Sequence, residues 1–234
     1  MTEPLAHRVT PGTGPTIVFL PGYASDMAGT KALALEDWAQ AQGRGFVRFD
    51  YRGCGESPGE FEDQSLAAWR DDALWILDHV AQRAAILVGS SMGGWLMLLA
   101  ALARPERIVG LVGVAAAPDF TDWGFTPDEK VTLRRHGRLE RANPYGDRPT
   151  VYTGALWESG EANRVMTGPI DLDCRVRLLH GMRDTDVPWE HSTTLARLLR
   201  SDNVQVTLIK DGDHRLSREA DIAQLIRAVE ELCK

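Results

Sequence analysis

The chain has 234 residues, of which 44% are hydrophobic and 25% are charged, and its formal net charge is −7. This length predicts one domain with room for an insertion, and the composition is typical of a globular protein. The negative charge argues against nucleic acid or an anionic membrane surface as the main partner.

Predicted strands and helices alternate along most of the chain. Short apolar runs predict strands, and apolar positions on one helical face predict helices. The strands are predicted over residues 16–20, 46–50, 85–88, 108–115, 175–179 and 204–209, and the helices over residues 31–42, 66–80, 94–103, 191–199 and 218–232. Strands separated by helices of this length predict an α/β fold, with a mostly parallel central sheet and helices on both faces.

Residues 118–168 interrupt this alternation. The segment contains several prolines, scattered aromatic residues and a charge-rich stretch at 129–141, and no clear strand is predicted in it. We interpret it as a small cap inserted over the C-terminal edge of the sheet, where the sites of α/β proteins lie. The predicted division is therefore a core of residues 1–117 and 169–234 and a cap of residues 118–168.

The sequence G-S-S-M-G at residues 89–93 stands between a predicted strand and a predicted helix. In that context G-x-S-x-G predicts a nucleophile elbow, a sharp turn that exposes a serine at the N-terminus of a helix. The spacing makes Ser91 the candidate nucleophile and Ser90 the variable residue. The alternative is a glycine-rich turn in which serine only caps the helix.

A serine hydroxyl needs a base to accept its proton, and histidine suits that role near neutral pH. His214 follows the predicted strand 204–209 in a turn-rich loop and is the candidate base, whereas His180 ends the preceding strand and is interpreted as a core or supporting histidine. An acid must also orient the imidazole. The turn after residue 179 offers Asp184 and Asp186, and their spacing leaves the choice open.

Two backbone N–H groups are expected to stabilise an oxyanion at this site. One belongs to Met92, directly after the nucleophile, and the other to Tyr23, in the loop after the first predicted strand. The sequence shows no glycine-rich phosphate or dinucleotide motif and no metal-ligand spacing, so neither a cofactor nor a metal is predicted.

The predicted cap carries the candidate substrate-binding residues. Those proposed to form an apolar wall for an acyl chain are Trp123, Phe125, Tyr152 and Trp157, and the same segment contains Phe120 and Tyr145. Each buried methylene of an acyl chain contributes about 0.8 kcal/mol, so such a wall favours acyl substrates. The alternative is that these aromatic residues form the core of the cap itself.

Five segments resemble motifs of the serine α/β-hydrolase family across essentially the whole chain. They are F-L-P-G-Y at 19–23, D-Y-R-G-C-G-E-S at 50–57, G-S-S-M-G-G-W at 89–95, H-G-M-R-D-T-D-V-P-W at 180–189 and D-G-D-H-R-L at 211–216. The resemblance implies an α/β-hydrolase fold, and the family pattern H-G-x-x-D-x-x-V-P assigns the acid to Asp184. Within the family these segments are most similar to the branch of mitochondrial acyl-protein thioesterases and acyl-glucuronide esterases, which implies esterase or thioesterase activity.

The resulting hypothesis is a serine hydrolase that cleaves small or protein-linked acyl esters or thioesters through an acyl-enzyme on Ser91. We expect a short-to-medium acyl optimum. The alternatives are a hydrolase of another bond, such as a C–C hydrolase, a peptidase or a lipase, and a catalytically silent binding protein on the same scaffold. The sequence leaves the leaving group and the oligomeric state open.

Three cysteines, Cys54, Cys174 and Cys233, are widely separated and form no C-x-x-C pair. This spacing predicts free thiols in a reducing compartment rather than disulfides or a zinc site. The longest apolar run, residues 95–103, is shorter than the roughly 20 residues that a membrane span requires. Since no signal-like apolar segment is recognised either, we expect a cytoplasmic protein without a membrane span.

Overall fold

The computed structural model describes residues 4–81, 83–143 and 146–234, and the strands named here lie within them. They are β1 (His7–Thr10), β2 (Thr13–Leu20), β3 (Arg44–Phe49), β4 (Ala85–Ser90), β5 (Ile108–Val114), β6 (Arg138–Arg141), β7 (Thr150–Thr153), β8 (Arg175–Gly181) and β9 (Val204–Ile209). A central sheet has the order β1-β3-β2-β4-β5-β8-β9, and β6 and β7 form a separate antiparallel pair. In the central sheet β1 is antiparallel to β3 and all other neighbours are parallel. The predicted α/β fold is confirmed.

Helices cover both faces of the central sheet. The α-helices of the described residues are α1 (Thr30–Ala41), α2 (Leu66–His79), α3 (Met92–Ala103), α4 (Phe120–Trp123), α5 (Pro127–His136), α6 (Gly154–Ala162), α7 (Glu190–Leu198) and α8 (Glu219–Leu232). Of these, α1 and α8 lie on one face of the central sheet and α2, α3 and α7 on the other. Successive side chains of a strand point to opposite faces. Accordingly, Ile17 and Phe19 of β2 pack with α1 and α8, whereas Val18 and Leu20 pack with α2, α3 and α7. Two apolar layers therefore hold the sheet in place.

The strand and the helix on either side of Ser91 are almost fully buried. Every residue of β4 is buried, which is why it reads as a continuous apolar run rather than an alternating one. The helix α3 is buried on most of its surface, including Trp95 and Leu96. This burial fixes the backbone on both sides of Ser91, so the turn between β4 and α3 has a rigid frame.

Two features of the fold differ from the sequence prediction. The strand β1 was not predicted, because it is a short, partly exposed edge strand whose pairing with β3 depends on a distant segment. The pair β6 and β7 lies in the segment where no clear strand was predicted. Its residues alternate between exposed and half-buried, so the hydrophobic signal of a strand is weak there.

Between β5 and β8 the chain forms α4, α5, β6, β7 and α6. Asp119, at the start of this segment, has a φ of 57° and is 2% exposed. Its two carboxylate oxygens accept hydrogen bonds from the backbone N–H groups of Val165 and Met166, both at 2.8 Å. One side chain therefore joins the two ends of the segment. The division into a core of residues 1–117 and 169–234 and a cap of residues 118–168 stays a prediction.

None of the helices within the described residues has the length and apolar character that crossing a membrane requires.

Candidate active site

Ser91 lies at the turn between β4 and α3 in a strained backbone conformation. Its φ is 54° and its ψ is −121°, a combination of backbone angles that residues other than glycine rarely adopt. Hydrogen bonds hold this conformation, since the N–H of Ser91 donates to the carbonyl of Val114 at 2.9 Å. The carbonyl of Ser91 accepts from the N–H groups of Gly94, at 2.9 Å, and Ala117, at 3.0 Å. The geometry is that of a nucleophile elbow.

Gly89 and Gly93 are required by the close approach of strand and helix at this turn. A Cβ atom on Gly93 would lie 2.1 Å from the carbonyl oxygen of Leu20, and one on Gly89 would lie 2.4 Å from the carbonyl oxygen of Gly93. Both distances are too short for any side chain, so the two glycines allow β2, β4 and α3 to pack around Ser91.

The loops after β9 and β8 bring a histidine and an aspartate to Ser91. The Nε2 atom of His214 is 3.1 Å from Ser91 Oγ, and its Nδ1 atom is 2.8 Å from Asp184 Oδ2. The two loops are in direct contact, because the N–H of Arg183 donates to the carbonyl of Gly212 at 2.9 Å. The three predicted residues thus form one continuous hydrogen-bonded chain, which is the arrangement that transfers a proton from a serine to an imidazole.

Asp184 is the member of this chain that is most completely enclosed, with a side chain 0% exposed. Besides His214 it contacts His180, whose Nε2 atom is 3.1 Å from the same Oδ2 atom. Its Oδ1 atom accepts from the N–H groups of Asp186, at 2.8 Å, and Val187, at 2.9 Å. Burial opposes ionisation, but the hydrogen bonds from the two histidines outweigh it and hold the pKa of Asp184 below its usual value. Asp184 is therefore a carboxylate at neutral pH.

Asp186 supports Asp184 through its backbone N–H, which donates to Oδ1 of Asp184. Within the described part of the chain, ligand atoms of Asp184, Asp186 and His214 lie within 4.8 Å of one another. A metal would have to replace the hydrogen bond between Asp184 and His214. We therefore interpret these three residues as a hydrogen-bonded acid and base with an acidic neighbour.

Tyr23 and Met92 both line the same cavity as Ser91. Met92 is the first residue of α3, where backbone N–H groups have no partner within the helix. The loop that carries Tyr23 lies against the turn, since a Cβ atom on Gly22 would lie 3.4 Å from Ser91 Cβ. This proximity suits the expected pair of oxyanion donors, and their role stays a prediction.

A cavity of about 860 Å³ opens in front of Ser91 and His214. Of the predicted substrate-binding residues, Trp123, Phe125 and Tyr152 line it. Trp157 is not among its lining residues: this side chain is 7% exposed, packs with Leu133 in a small cluster and donates from Nε1 to the carbonyl of Thr121 at 3.2 Å. Tyr145 lies outside the described residues. Trp157 therefore fits the interpretation as core of the predicted cap, whereas Phe125 fits both interpretations, because it lines the cavity and also belongs to the cluster of Trp157 and Leu133.

Lys31 and Arg141 also line the cavity, and the sequence did not indicate either of them. The guanidinium of Arg141 lies 4.6 Å from the ring centroid of Phe125 and 5.3 Å from that of Tyr152. The Nζ atom of Lys31 donates to the carbonyl of Arg215, and burial, followed by the charge of Arg215, lowers the pKa of Lys31 to about 8. Neither residue belongs to a motif that the sequence could reveal, because each is placed at the cavity by contacts with distant segments.

A family model described as the α/β hydrolase fold matches residues 15–141. The chain is 42% identical to the mouse protein named palmitoyl-protein thioesterase ABHD10, mitochondrial, over 97% of this chain and 78% of that protein. A solved structure from Agrobacterium vitis S4 has a TM-score of 0.93 and 42% identity, covering 98% of this chain and 93% of that one. The solved structure of mouse α/β hydrolase domain-containing protein 10 has a TM-score of 0.91 and 40% identity, covering 97% of this chain and 93% of that one.

These comparisons contradict the predicted cytoplasmic location. The mouse relative, like its bovine and human counterparts, is named as a mitochondrial protein, not a cytoplasmic one. The prediction rested largely on free cysteines, and these indicate a reducing environment without specifying one compartment. The prediction of a cytoplasmic protein is therefore wrong.

Proposed function

This chain belongs to the α/β-hydrolase family, and on that basis we propose that it hydrolyses acyl thioesters and carboxylic esters through an acyl-enzyme formed on Ser91. The observation that carries the proposal is the hydrogen-bonded chain of Ser91, His214 and Asp184, which opens on a cavity. The thioesterase name of the mouse relative supports the thioester as a substrate bond.

The first half of the reaction forms the acyl-enzyme. Ser91 Oγ attacks the carbonyl carbon while its proton passes to Nε2 of His214, and the negative charge of Asp184 stabilises the resulting imidazolium. The carbonyl oxygen becomes an oxyanion, which the N–H groups of Tyr23 and Met92 stabilise. The bond to the thiol or alcohol then breaks, and the leaving group takes the proton from His214.

The second half of the reaction uses water in place of serine. His214 Nε2 accepts a proton from water as its oxygen attacks the acyl carbon, and the same two N–H groups stabilise the second oxyanion. The ester bond to Ser91 breaks, and Oγ recovers its proton from His214. The products are a carboxylic acid and the free enzyme, and no cofactor takes part in either half.

The aromatic side of the cavity supports an acyl substrate rather than a peptide. Trp123, Phe125 and Tyr152 offer apolar surface, whereas an extended peptide would need a cleft with backbone partners. We propose that this side binds a short-to-medium acyl chain. Because a thiolate or an activated alkoxide leaves more readily than an amine, esters and thioesters are expected to react faster than amides.

A substrate series tests this proposal. The kcat/KM values are measured for p-nitrophenyl esters from acetyl to palmitoyl, for matched acyl thioesters and for aminoacyl amides. Trp123→Ala should lower kcat/KM for octanoyl substrates more than for acetyl ones, whereas Trp157→Phe, at a side chain that does not line the cavity, should change both equally. Faster cleavage of amides, or no hydrolysis in the whole series, would contradict the proposed function. A steady fall of kcat/KM for acyl chains longer than butyryl would contradict only the proposal that medium-length chains are bound.

A further inference from the structure

A second histidine contacts the acid of the proposed triad. His180, the penultimate residue of β8, is 0% exposed. Its Nε2 atom lies 3.1 Å from Asp184 Oδ2 and 3.0 Å from the carbonyl oxygen of Val187. Its Nδ1 atom lies 2.7 Å from Oγ of Ser192, which is 1% exposed in α7. The imidazole therefore joins α7 to the loop that carries Asp184.

These partners determine which nitrogen of His180 carries the proton. Both partners of Nε2 are oxygens that can only accept a hydrogen bond, the carboxylate of Asp184 and the carbonyl of Val187. Nε2 must therefore carry the hydrogen. In the neutral ring Nδ1 is then an acceptor, and the hydroxyl of Ser192 can donate to it. Ser192 thus stabilises the tautomer in which His180 donates to Asp184.

We propose that His180, held as this tautomer by Ser192, is a positioning residue that fixes the carboxylate of Asp184 with Oδ2 directed at His214. The proposal rests on the proposed function, in which Asp184 orients His214. Its basis is that Oδ2 accepts from both imidazoles, at 2.8 Å and 3.1 Å, while Oδ1 accepts from two backbone N–H groups.

The arrangement matters because a carboxylate can rotate about its Cβ–Cγ bond. The two N–H groups at Oδ1 hold one oxygen. Without His180 the other oxygen would be held by His214 alone, and His214 must also turn its Nε2 atom toward Ser91. Because His180 donates to Oδ2 from the buried side, His214 does not have to hold this oxygen alone. Supporting hydrogen bonds of this kind preorganise catalytic groups in other enzymes.

Two substitutions of His180 separate hydrogen bonding from packing. Leucine fills the space but has no donor, whereas the amide nitrogen of glutamine can take the place of Nε2. The rate at which a fluorophosphonate probe labels Ser91 measures activation of the nucleophile without any assumption about the substrate. We expect His180→Leu to lower this rate about 10-fold or more, as the loss of a hydrogen bond to a charged group does, and His180→Gln to recover most of the loss. Ser192→Ala should show an intermediate loss.

A second readout follows the hydrogen bond itself. The proton between His214 Nδ1 and Asp184 Oδ2 should give a low-field resonance in the ¹H NMR spectrum. Circular dichroism with thermal melting reports whether each variant is folded. In His180→Leu we expect this resonance to move upfield or broaden. If the variant does not fold, His180→Gln and Ser192→Ala provide the same comparison.

Three results would overturn the proposal. One is a folded His180→Leu that is labelled at the wild-type rate. Another is an equal loss of labelling rate in His180→Leu and His180→Gln, which would mean that His180 acts through packing and not through its hydrogen bond. The third is faster labelling with a downfield resonance in His180→Leu, which would mean that His180 competes with His214 for Asp184. Absence of labelling in the wild-type protein would instead contradict the proposed function, and the His214 resonance would still decide the role of His180.

Discussion

The ring of Tyr23 lies parallel to the ring of Tyr152, with 5.0 Å between the centroids and 3° between the planes. Tyr23 belongs to the loop that carries one proposed oxyanion donor, and Tyr152 belongs to β7 and lines the cavity. The hydroxyl of Tyr23 also donates to the carbonyl of Val151, in the same strand. The wall proposed to bind the substrate is thus in direct contact with the loop proposed to carry an oxyanion donor.

Removing this stack should affect the chemical step as well as binding. In Tyr152→Ala the loop of Tyr23 loses an aromatic contact of the kind that contributes about 0.5–1.5 kcal/mol, so kcat is expected to fall by about 10-fold. Tyr152→Phe keeps the ring and should retain most of kcat. Steady-state kinetics with one p-nitrophenyl ester measures both variants. A rise in KM with kcat unchanged in Tyr152→Ala would show that the stack serves binding only.

Replacing Ser91 should abolish hydrolysis. In Ser91→Ala kcat is expected to fall by about 10⁴-fold or more, because the members of a triad act as a unit. The control is Ser90→Ala, which alters the adjacent hydroxyl at the end of β4 and should keep most of the activity. Peptide mass spectrometry of the probe-labelled protein identifies the modified serine. Labelling of Ser90 would refute the assignment of the nucleophile.

The two aspartates of the same turn should behave differently. Asp184→Asn removes the charge that stabilises the imidazolium of His214 and permits the wrong tautomer, so kcat should fall by about 10³-fold or more. Asp186→Asn leaves the backbone N–H that donates to Asp184 in place and should cost far less. Both variants are compared by kcat at one pH and by thermal melting. Equal losses would mean that the acid has been wrongly chosen.

Activity should decline on the acid side of neutrality. Nε2 of His214 can accept the proton of Ser91 only when the imidazole is neutral, so kcat/KM should fall as this ring becomes protonated. Since Asp184 has a lowered pKa, it stays ionised over this range and adds no second step. The pH profile of kcat/KM for an ester checks this expectation. A profile that shows no loss of activity at acid pH would contradict a histidine base.

Glu129 should make the stability of the protein depend on pH. Its hydrogen bonds with Arg141, at 2.8 Å and 2.7 Å, lower its pKa from 4.5 to about 2. A carboxyl whose pKa is lower in the folded state stabilises the fold above its ordinary pKa, and this contribution is lost as the pH falls. The Tm of Glu129→Gln should therefore lie below that of the wild type at neutral pH, and the gap should narrow below about pH 4.5.

The matched control for Glu129 is Glu158→Gln, a change at an exposed position of α6. Its Tm difference from the wild type should be small and should vary little with pH. A gap for Glu129→Gln that stays constant from neutral pH to about pH 3 would mean that the charge of Glu129 does not stabilise the fold, since glutamine can still accept the capping hydrogen bond from the N–H of Thr126.

The elbow and the alternation of strands and helices could be predicted because their signals are local. Gly89, Ser91 and Gly93 are fixed by a single turn, and the apolar run of β4 is buried on both faces. The pair β6 and β7 could not be predicted, because Arg138–Arg141 has a polar sequence and gains its register only by pairing with Thr150–Thr153. Its stability depends on tertiary contacts such as Arg141 over Phe125.

The candidate site shows the same limit. The rule that strand ends of a parallel sheet meet at one edge predicts the position of His214 and of the turn that holds Asp184 and Asp186, and the choice of Asp184 came from the resemblance to the family pattern. The direction of an aromatic side chain has no such rule, so the sequence could not separate Phe125, which lines the cavity, from Trp157, which does not. The contact between His180 and Ser192 likewise depends on how α7 packs against β8.

Asp119 joins the two ends of the segment between β5 and β8. Between β5 and β8, its carboxylate accepts hydrogen bonds from Val165 and Met166 and so holds together two points of the chain that are more than 40 residues apart. A chain segment whose ends are already fixed can change in length at little entropic cost. New caps could therefore be grafted between these points while Ser91 and its glycines remain untouched, so that a scaffold of this kind can acquire new substrates by exchanging one segment.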